Sequence, residues 1–280
     1  MASQSNPPES KHGSAAGGGM QIISFANQKG GVGKTTSAIN CAAGLGMRRQ
    51  KTLLVDMDPQ GNATGGVGIS KKQVRISIYD VLIGRYEAAE AVMPTSYENL
   101  SILPSNINLA GCELELVDTS DRAHRLKNAL DTLRGFDYII IDCPPSLGLL
   151  TINALAASTG LIVPMQCEYF AMEGLSQLVM TMRKVKNQYN PALMMLGVLV
   201  TVYDGRLTLS LQVMDELKKF FPNRIFKSVI PRNVRISEAQ SYGQPVIQFD
   251  RACKGAEKYL AFVDELLAMR GAAPAGGMFN

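Results

Sequence analysis

The sequence predicts an α/β fold in which a mostly parallel, twisted sheet carries helices on both faces. Three observations lead there. The strand candidates are apolar throughout instead of alternating, as strands buried on both faces are. Segments of helical period separate them, which fits crossover connections between parallel strands. A glycine-rich turn, Lys29-Gly30-Gly31-Val32-Gly33-Lys34-Thr35-Thr36, lies between the first strand candidate and the first helix candidate. One composition regime without internal repeats runs through the chain, so a single domain is expected over residues 20–270.

Taken in order, Gln21–Phe25 reads as a buried strand and Ser37–Met47, rich in Ala, Leu and Ile, as a helix. Thr52–Asp56 is a second buried strand, and residues 63–75 read as loop. Ile76–Gly84 and Leu109–Leu116 read as helices, with the short strand Leu100–Leu103 between them. A helix over Arg122–Leu133 precedes the apolar strand Tyr138–Asp142. Leu161–Met165 and Leu196–Val200 are further buried strands. Between them Met172, Leu175, Leu178, Val179, Met182 and Val185 recur at helical spacing, a stripe suited to core or interface. Leu207–Phe221 reads as a helix, Ile225–Ile230 as a last strand, and Ala252–Met269 as a closing helix.

Composition bounds the rest. Residues 1–19 are rich in Ser, Gly, Pro and Ala, too polar to order themselves, so a disordered tail or an appended remnant is expected there, with Met20 the natural start. Residues 271–280 are expected to be a flexible tail. The longest apolar run, Ala192–Val202, has eleven residues and is too short to cross a bilayer, which predicts a soluble, cytoplasmic protein. Five scattered cysteines (Cys41, Cys112, Cys143, Cys167, Cys253) form no CxxC pair, which argues against a disulfide framework or a zinc site. The net charge of +4 is mild, so its location matters more than its size.

A glycine-rich turn between a strand and a helix aims several backbone N–H groups at one point, and the helix N-terminus adds partial positive charge. Gly30, Gly31, Val32 and Gly33 would wrap a phosphate chain, Lys34 would meet the β- and γ-phosphates, and the Thr35 hydroxyl would ligate Mg²⁺, with Thr36 completing the loop. The general phosphate-loop pattern carries a further glycine where this chain has Gln28; the extra feature is Lys29. Ligands of parallel sheets gather at the carboxyl ends of the strands. Asp56, Asp58 and Asp142 stand at such ends, and Asp142 fits the role of holding Mg²⁺ through water.

The sequence Lys29–Thr36 resembles the deviant Walker A motif of the ParA/MinD family of ATPases. Asp56-Met57-Asp58-Pro59-Gln60-Gly61-Asn62-Ala63-Thr64 resembles the first switch segment of ParA-type partition ATPases, and Asp142-Cys143-Pro144-Pro145-Ser146-Leu147 the second. Further matches are Gln166–Gly174, Thr201–Arg206 and Ile230–Ala239, so the resemblance runs from about Met20 to Met269. It is specific to the small chromosomal-type, Soj-like branch. It implies a P-loop NTPase fold and a weak, Mg²⁺-dependent ATPase in which Lys29 reaches the partner's phosphates across a nucleotide-sandwich homodimer. It implies that Asp58 positions or activates the attacking water and that Pro231 and Asn233 border the adenine. It also implies non-specific binding of double-stranded DNA by the ATP dimer, a ParB-type partner that stimulates hydrolysis, and a nucleoid-associated role in chromosome or plasmid partition. The chain departs from the family at Arg251-Ala252-Cys253-Lys254-Gly255, where a small-residue turn is common.

Between Tyr203 and Lys258 stand ten basic and six acidic residues, a difference equal to the excess of the whole chain. A surface that neutralises phosphates needs such a cluster and no base-reading motif. Arg235, and after it Arg206 and Arg232, are the candidate DNA contacts. An alternative reading is a MinD-like, membrane-associated regulator of cell division, which wants a basic amphipathic C-terminal helix; residues 271–280 do not encode one. A third, an iron–sulfur carrier ATPase, wants paired cysteines that are not there.

Overall fold

In a computed structural model of the chain, residues 19–168 and 171–271 are described. The expected tails at 1–19 and 271–280, and Met172 of the apolar stripe, fall almost wholly outside the described residues or side chains. Among the described residues, seven strands form one sheet: β1 Gln21–Phe25, β2 Thr52–Asp56, β3 Met93–Pro94, β4 Leu100–Leu103, β5 Tyr138–Asp142, β6 Gly160–Gln166 and β7 Met194–Thr201. Their order is β3-β4-β2-β5-β1-β6-β7, and every pairing is parallel except β3 with β4.

The unbroken apolar runs follow from burial on both faces. Along β5, Ile139 and Ile141 join one apolar cluster while Tyr138 and Ile140 join the other; along β2, Leu53 and Val55 part from Leu54 in the same way. Strand alternation therefore survives as a choice between two cores.

The helices cover those two faces. One face carries α1 (Lys34–Met47), which packs on α12 (Lys254–Gly271) and α11 (Val246–Phe249), with α2 (Asn62–Gly66) and α10 (Val234–Ser241) beside them. The other carries α3 (Ile78–Leu82), α4 (Ala88–Ala91), α5 (Cys112–Glu115), α6 (Arg125–Leu130), α7 (Leu149–Ala157), α8 (Ala171–Gln188) and α9 (Thr208–Phe220). Phe262 of α12 is fully buried and meets Phe25 and Phe226 edge-on, at ring-centroid distances of 6.3 and 4.9 Å.

Several expectations need correction. Ile225–Ile230 is no strand. It meets β7 only near its two ends, where the Phe226 N–H donates to Val198 O (3.0 Å) and the Ile230 N–H to Val200 O (2.9 Å), while between them the Glu265 carboxylate of α12 takes the N–H groups of Lys227 and Ser228. The helix read over Leu109–Leu116 is a 3-10 turn, Ile107–Gly111, followed by the single turn of α5, and the one over Arg122–Leu133 shortens to α6. The loop read over residues 63–75 contains α2 and the 3-10 turn Lys71–Gln73. Helix α1 starts at Lys34, three residues before the expected Ser37, directly out of the glycine turn. Helix α7 has no counterpart in the sequence reading: seven of its nine residues are buried, so it has almost no polar face to set a period. Helix α10 also lacks a strong apolar stripe and is announced only by its N-cap, where the Asn233 side chain accepts from the Arg235 N–H.

Phe262→Ala should cost about 3–5 kcal/mol, the usual penalty for emptying a fully buried aromatic position. Urea unfolding followed by circular dichroism measures it; a loss below about 1 kcal/mol would mean that the site collapses around the gap.

Candidate functional site

The loop between β1 and α1 lies under the carboxyl ends of the central strands, since β5 and β6 flank β1. Gly31 and Gly33 hold left-handed backbone angles, φ 75° and 79°, which strain any residue with a Cβ. Gly33 is the N-cap of α1 and offers no side chain to the free N–H groups of the first turn. Those donors, together with the helix dipole, face the loop and form an anion site.

Neighbouring strands hold the loop in shape. The Asn27 amide donates to the Pro164 carbonyl (2.8 Å) while its oxygen accepts from the Lys29 N–H (3.1 Å). The Gln166 amide donates to Gly31 O (2.6 Å), and the Thr201 hydroxyl donates to Val32 O (2.8 Å). The Lys34 ammonium is buried and donates to Lys29 O at 2.9 Å. Burial lowers its pKa, against the opposing pull of Asp142, Cys143 and Asp58. The acids around it favour the charged form, and burial outweighs them.

Those acids are positioned by strand register. Asp56 ends β2 directly opposite Asp142, which ends β5, and both are fully buried. Asp56 is well satisfied: it accepts from Thr64 N and Oγ1, both at 2.8 Å, and from Asp58 N at 3.1 Å. Asp58 follows, buried, and accepts from the Gln60 N–H (2.9 Å). Asp142 differs, because neither of its oxygens has a hydrogen-bond partner among the described residues. Burial first, then the neighbouring Asp56, push its pKa well above the usual carboxylate value; the nearby Thr35 hydroxyl and Lys34 oppose the shift. Burial also raises Asp56, to about 6. A buried carboxylate with empty oxygens, facing a threonine hydroxyl and a helix N-terminus, fits a hydrated divalent cation carried by a phosphate chain.

A cavity of about 240 Å³ opens from Gly33 and Thr36 toward Thr201, Pro231 and Asn233. Pro231 and Asn233 line this cavity with Gly33 and Thr36, while Lys34, Thr35, Asp58 and Asp142 interact with one another beside it. Lys29, on the exposed side of the loop, is ion-paired with Glu168. Arg232 lines the same cavity. Arg206 lies on the adjoining loop, which is joined to it by the Tyr203–Pro231 bridge and paired internally through Asp204 (2.6 Å). The Arg206 guanidinium holds the Asp204 carboxyl down at about 2. Arg235 is turned away on α10, bonded to Asp250 (2.7 Å) and Glu238 (2.5 Å) and lying over the Phe249 ring.

Sequence reasoning gives no role to Asp56, Gln166 or Thr201, which the structure builds into the site. Each stands at the carboxyl end of a strand, which is the available signal. Gln240, which donates to the Thr36 hydroxyl from α10, carries no such signal.

The chain matches a family model described as an AAA domain over residues 20–195. It is 52% identical over 249 residues to the sporulation initiation inhibitor protein Soj of Bacillus subtilis (strain 168), covering 89% of this chain and 98% of Soj. It is 49% identical over 248 residues to the chromosome partitioning protein ParA of Myxococcus xanthus (strain DK1622), covering 88% of each. Among solved structures, one described as cobyrinic acid a,c-diamide synthase from Mycobacterium smegmatis, with bound ADP and magnesium, superposes with a TM-score of 0.80. It is 38% identical and covers 90% of this chain and 96% of that one.

Asp56 and Asp142 hold protons to higher pH in the folded chain than in the unfolded one. Their contribution to nucleotide-free stability is therefore present below about pH 4 and lost as pH rises through their folded values, Asp56's being about 6. Asp142→Asn should accordingly raise the nucleotide-free thermal midpoint at about pH 7.5, by about 2–4 °C for each kcal/mol recovered. Scanning calorimetry measures this; a lower midpoint would mean that the charge stabilises the free chain.

Proposed function

Because the chain belongs to the Soj/ParA family of partition ATPases, with an AAA domain, we propose that it is a DNA-binding ATPase switched by nucleotide. The carrying observation is the buried, unpartnered Asp142 beside Lys34 at the start of α1. ATP lies with its phosphates along Gly30–Thr36 and its adenine in the cavity toward Pro231 and Asn233. Lys34 would meet the β- and γ-phosphates, and Thr35 and Asp142 are the residues that would hold Mg²⁺, Asp142 through water. Mg²⁺, when bound there, would supply positive charge against that developing on the phosphate oxygens. Asp58 orients the attacking water, a role supported by its burial near the Lys34 ammonium with one oxygen engaged by the Gln60 N–H.

In this reading two ATP-loaded copies pair face to face, and Lys29 of each offsets the repulsion between the two polyanions by reaching the opposite nucleotide. The dimer binds double-stranded DNA without sequence preference through Arg206, Arg232 and Arg235. It associates with the nucleoid in the cytoplasm, and a ParB-type partner stimulates hydrolysis. The outcome is chromosome or plasmid partition. Arg206 engages one carboxylate and has an 88% exposed side chain, so it reaches phosphate readily, whereas Arg235 must leave Glu238 and Asp250 first.

Lys34→Ala should weaken ATP binding about 10- to 100-fold, the loss of one charge-assisted phosphate contact. Asp58→Ala should keep ATP binding and lower turnover about 10²-fold. Phosphate release and nucleotide titration separate the two; normal turnover in Asp58→Ala would remove its assigned role.

Arg206→Ala or Arg235→Ala should weaken DNA binding at low salt and reduce the slope of log K against log salt by about 2, because each removes one phosphate contact from each half of the dimer. Gel shifts with unrelated DNA, run with ATP, with ADP and without nucleotide, test the switch. Equal binding in all three states would overturn it.

A further inference from the structure

We propose that Glu168 is a gate on Lys29: it holds the lysine in the free chain and so sets how readily two ATP-loaded copies pair. The inference rests on the reading of Lys29 as the cross-interface contact.

The backbone of Lys29 is fixed at both ends. Its N–H donates to Asn27 Oδ1 (3.1 Å) and its carbonyl accepts from the Lys34 ammonium (2.9 Å), so only the side chain is free to swing. That side chain is ion-paired with Glu168, and both partners are about half exposed, 39% and 50%. The pairing does not arise by chance from two mobile chains. The end of β6 is strapped to the phosphate loop through Asn27 to Pro164 O and Gln166 to Gly31 O, and Glu168 follows two residues later. The Glu168 N–H returns to Gln166 O (2.9 Å), a tight turn that keeps the glutamate beside the loop.

An exposed ion pair of this kind contributes little to the fold, at most about a fivefold change in an equilibrium. That makes it a weak strut but a usable gate, because a facing nucleotide offers the lysine several negative charges against a single carboxylate. Each lysine must leave Glu168 before it can cross, so the pair reduces the fraction of chains ready to dimerise. A dimer has two such lysines, and the reduction applies twice.

The test uses the full chain with a non-hydrolysable ATP analogue, and light scattering over a protein dilution series gives the dimer dissociation constant. Glu168→Gln should tighten the dimer up to about fivefold for each lysine, up to about 25-fold in all. The gain should shrink between about 0.05 and about 0.5 M salt, because both partners are exposed to screening ions. It should vanish when Lys29→Gln is added. An unchanged or weaker dimer in Glu168→Gln, or a gain that persists without Lys29, overturns the gate. If Lys29→Gln alone dimerises normally, the cross-interface reading falls and the gate falls with it. If Lys29→Gln fails to dimerise while Glu168→Gln is unchanged, only the gate falls. Circular dichroism checks that each variant is folded.

Discussion

Two carboxylates buried side by side at the ends of adjacent strands impose the condition that the rest of the site answers. The parallel register of β2 and β5 sets Asp56 opposite Asp142, and neither can move without shifting a strand whose side chains fill both cores. Like charges so placed resist ionisation. Asp56 is relieved by three donors from the segment that follows it, which carries the buried Asp58 and folds into α2. Asp142 is left without a hydrogen-bond partner among the described residues, and Asp142 and Asp58 draw the buried Lys34 toward its charged form against the larger cost of burial. A site of this kind stores its electrostatic cost until a cation and a polyanion arrive together.

The phosphate loop is held from outside as much as by its own glycines. Donors from Asn27, Gln166 and Thr201 tie it to the ends of β6 and β7, so its shape depends on strands more than a hundred residues away. On the other side, Gln240 of α10 reaches Thr36, and Asn40 of α1 accepts from the Ile247 N–H. The helix that carries Arg235 is thus bonded to the helix that starts at the phosphates. This gives a physical path along which the phosphate loop and α10 can influence each other, without by itself supplying two states.

Much of this was legible in the chain itself. The β1–turn–α1 unit, the apolar strands ending in Asp56 and Asp142, and the long helices α1, α9 and α12 follow from local rules: apolar runs, helical period, and the glycines that a left-handed turn requires. The residues expected to touch phosphate lie close together in sequence, so spacing alone could name Lys34 and Thr35. What tertiary structure decided was everything that depends on a partner distant along the chain. Helix α7 shows almost no polar face because seven of its nine residues are buried, and residues 225–230 part from β7 between Phe226 and Ile230, where Glu265 takes the N–H groups of Lys227 and Ser228. The orphaning of Asp142, the pairing of Lys29 with Glu168 and the tethering of Arg235 to Asp250 are likewise invisible in sequence. Charge, unlike hydrophobic period, acts through space, and which charges meet is fixed only when strand order and register are.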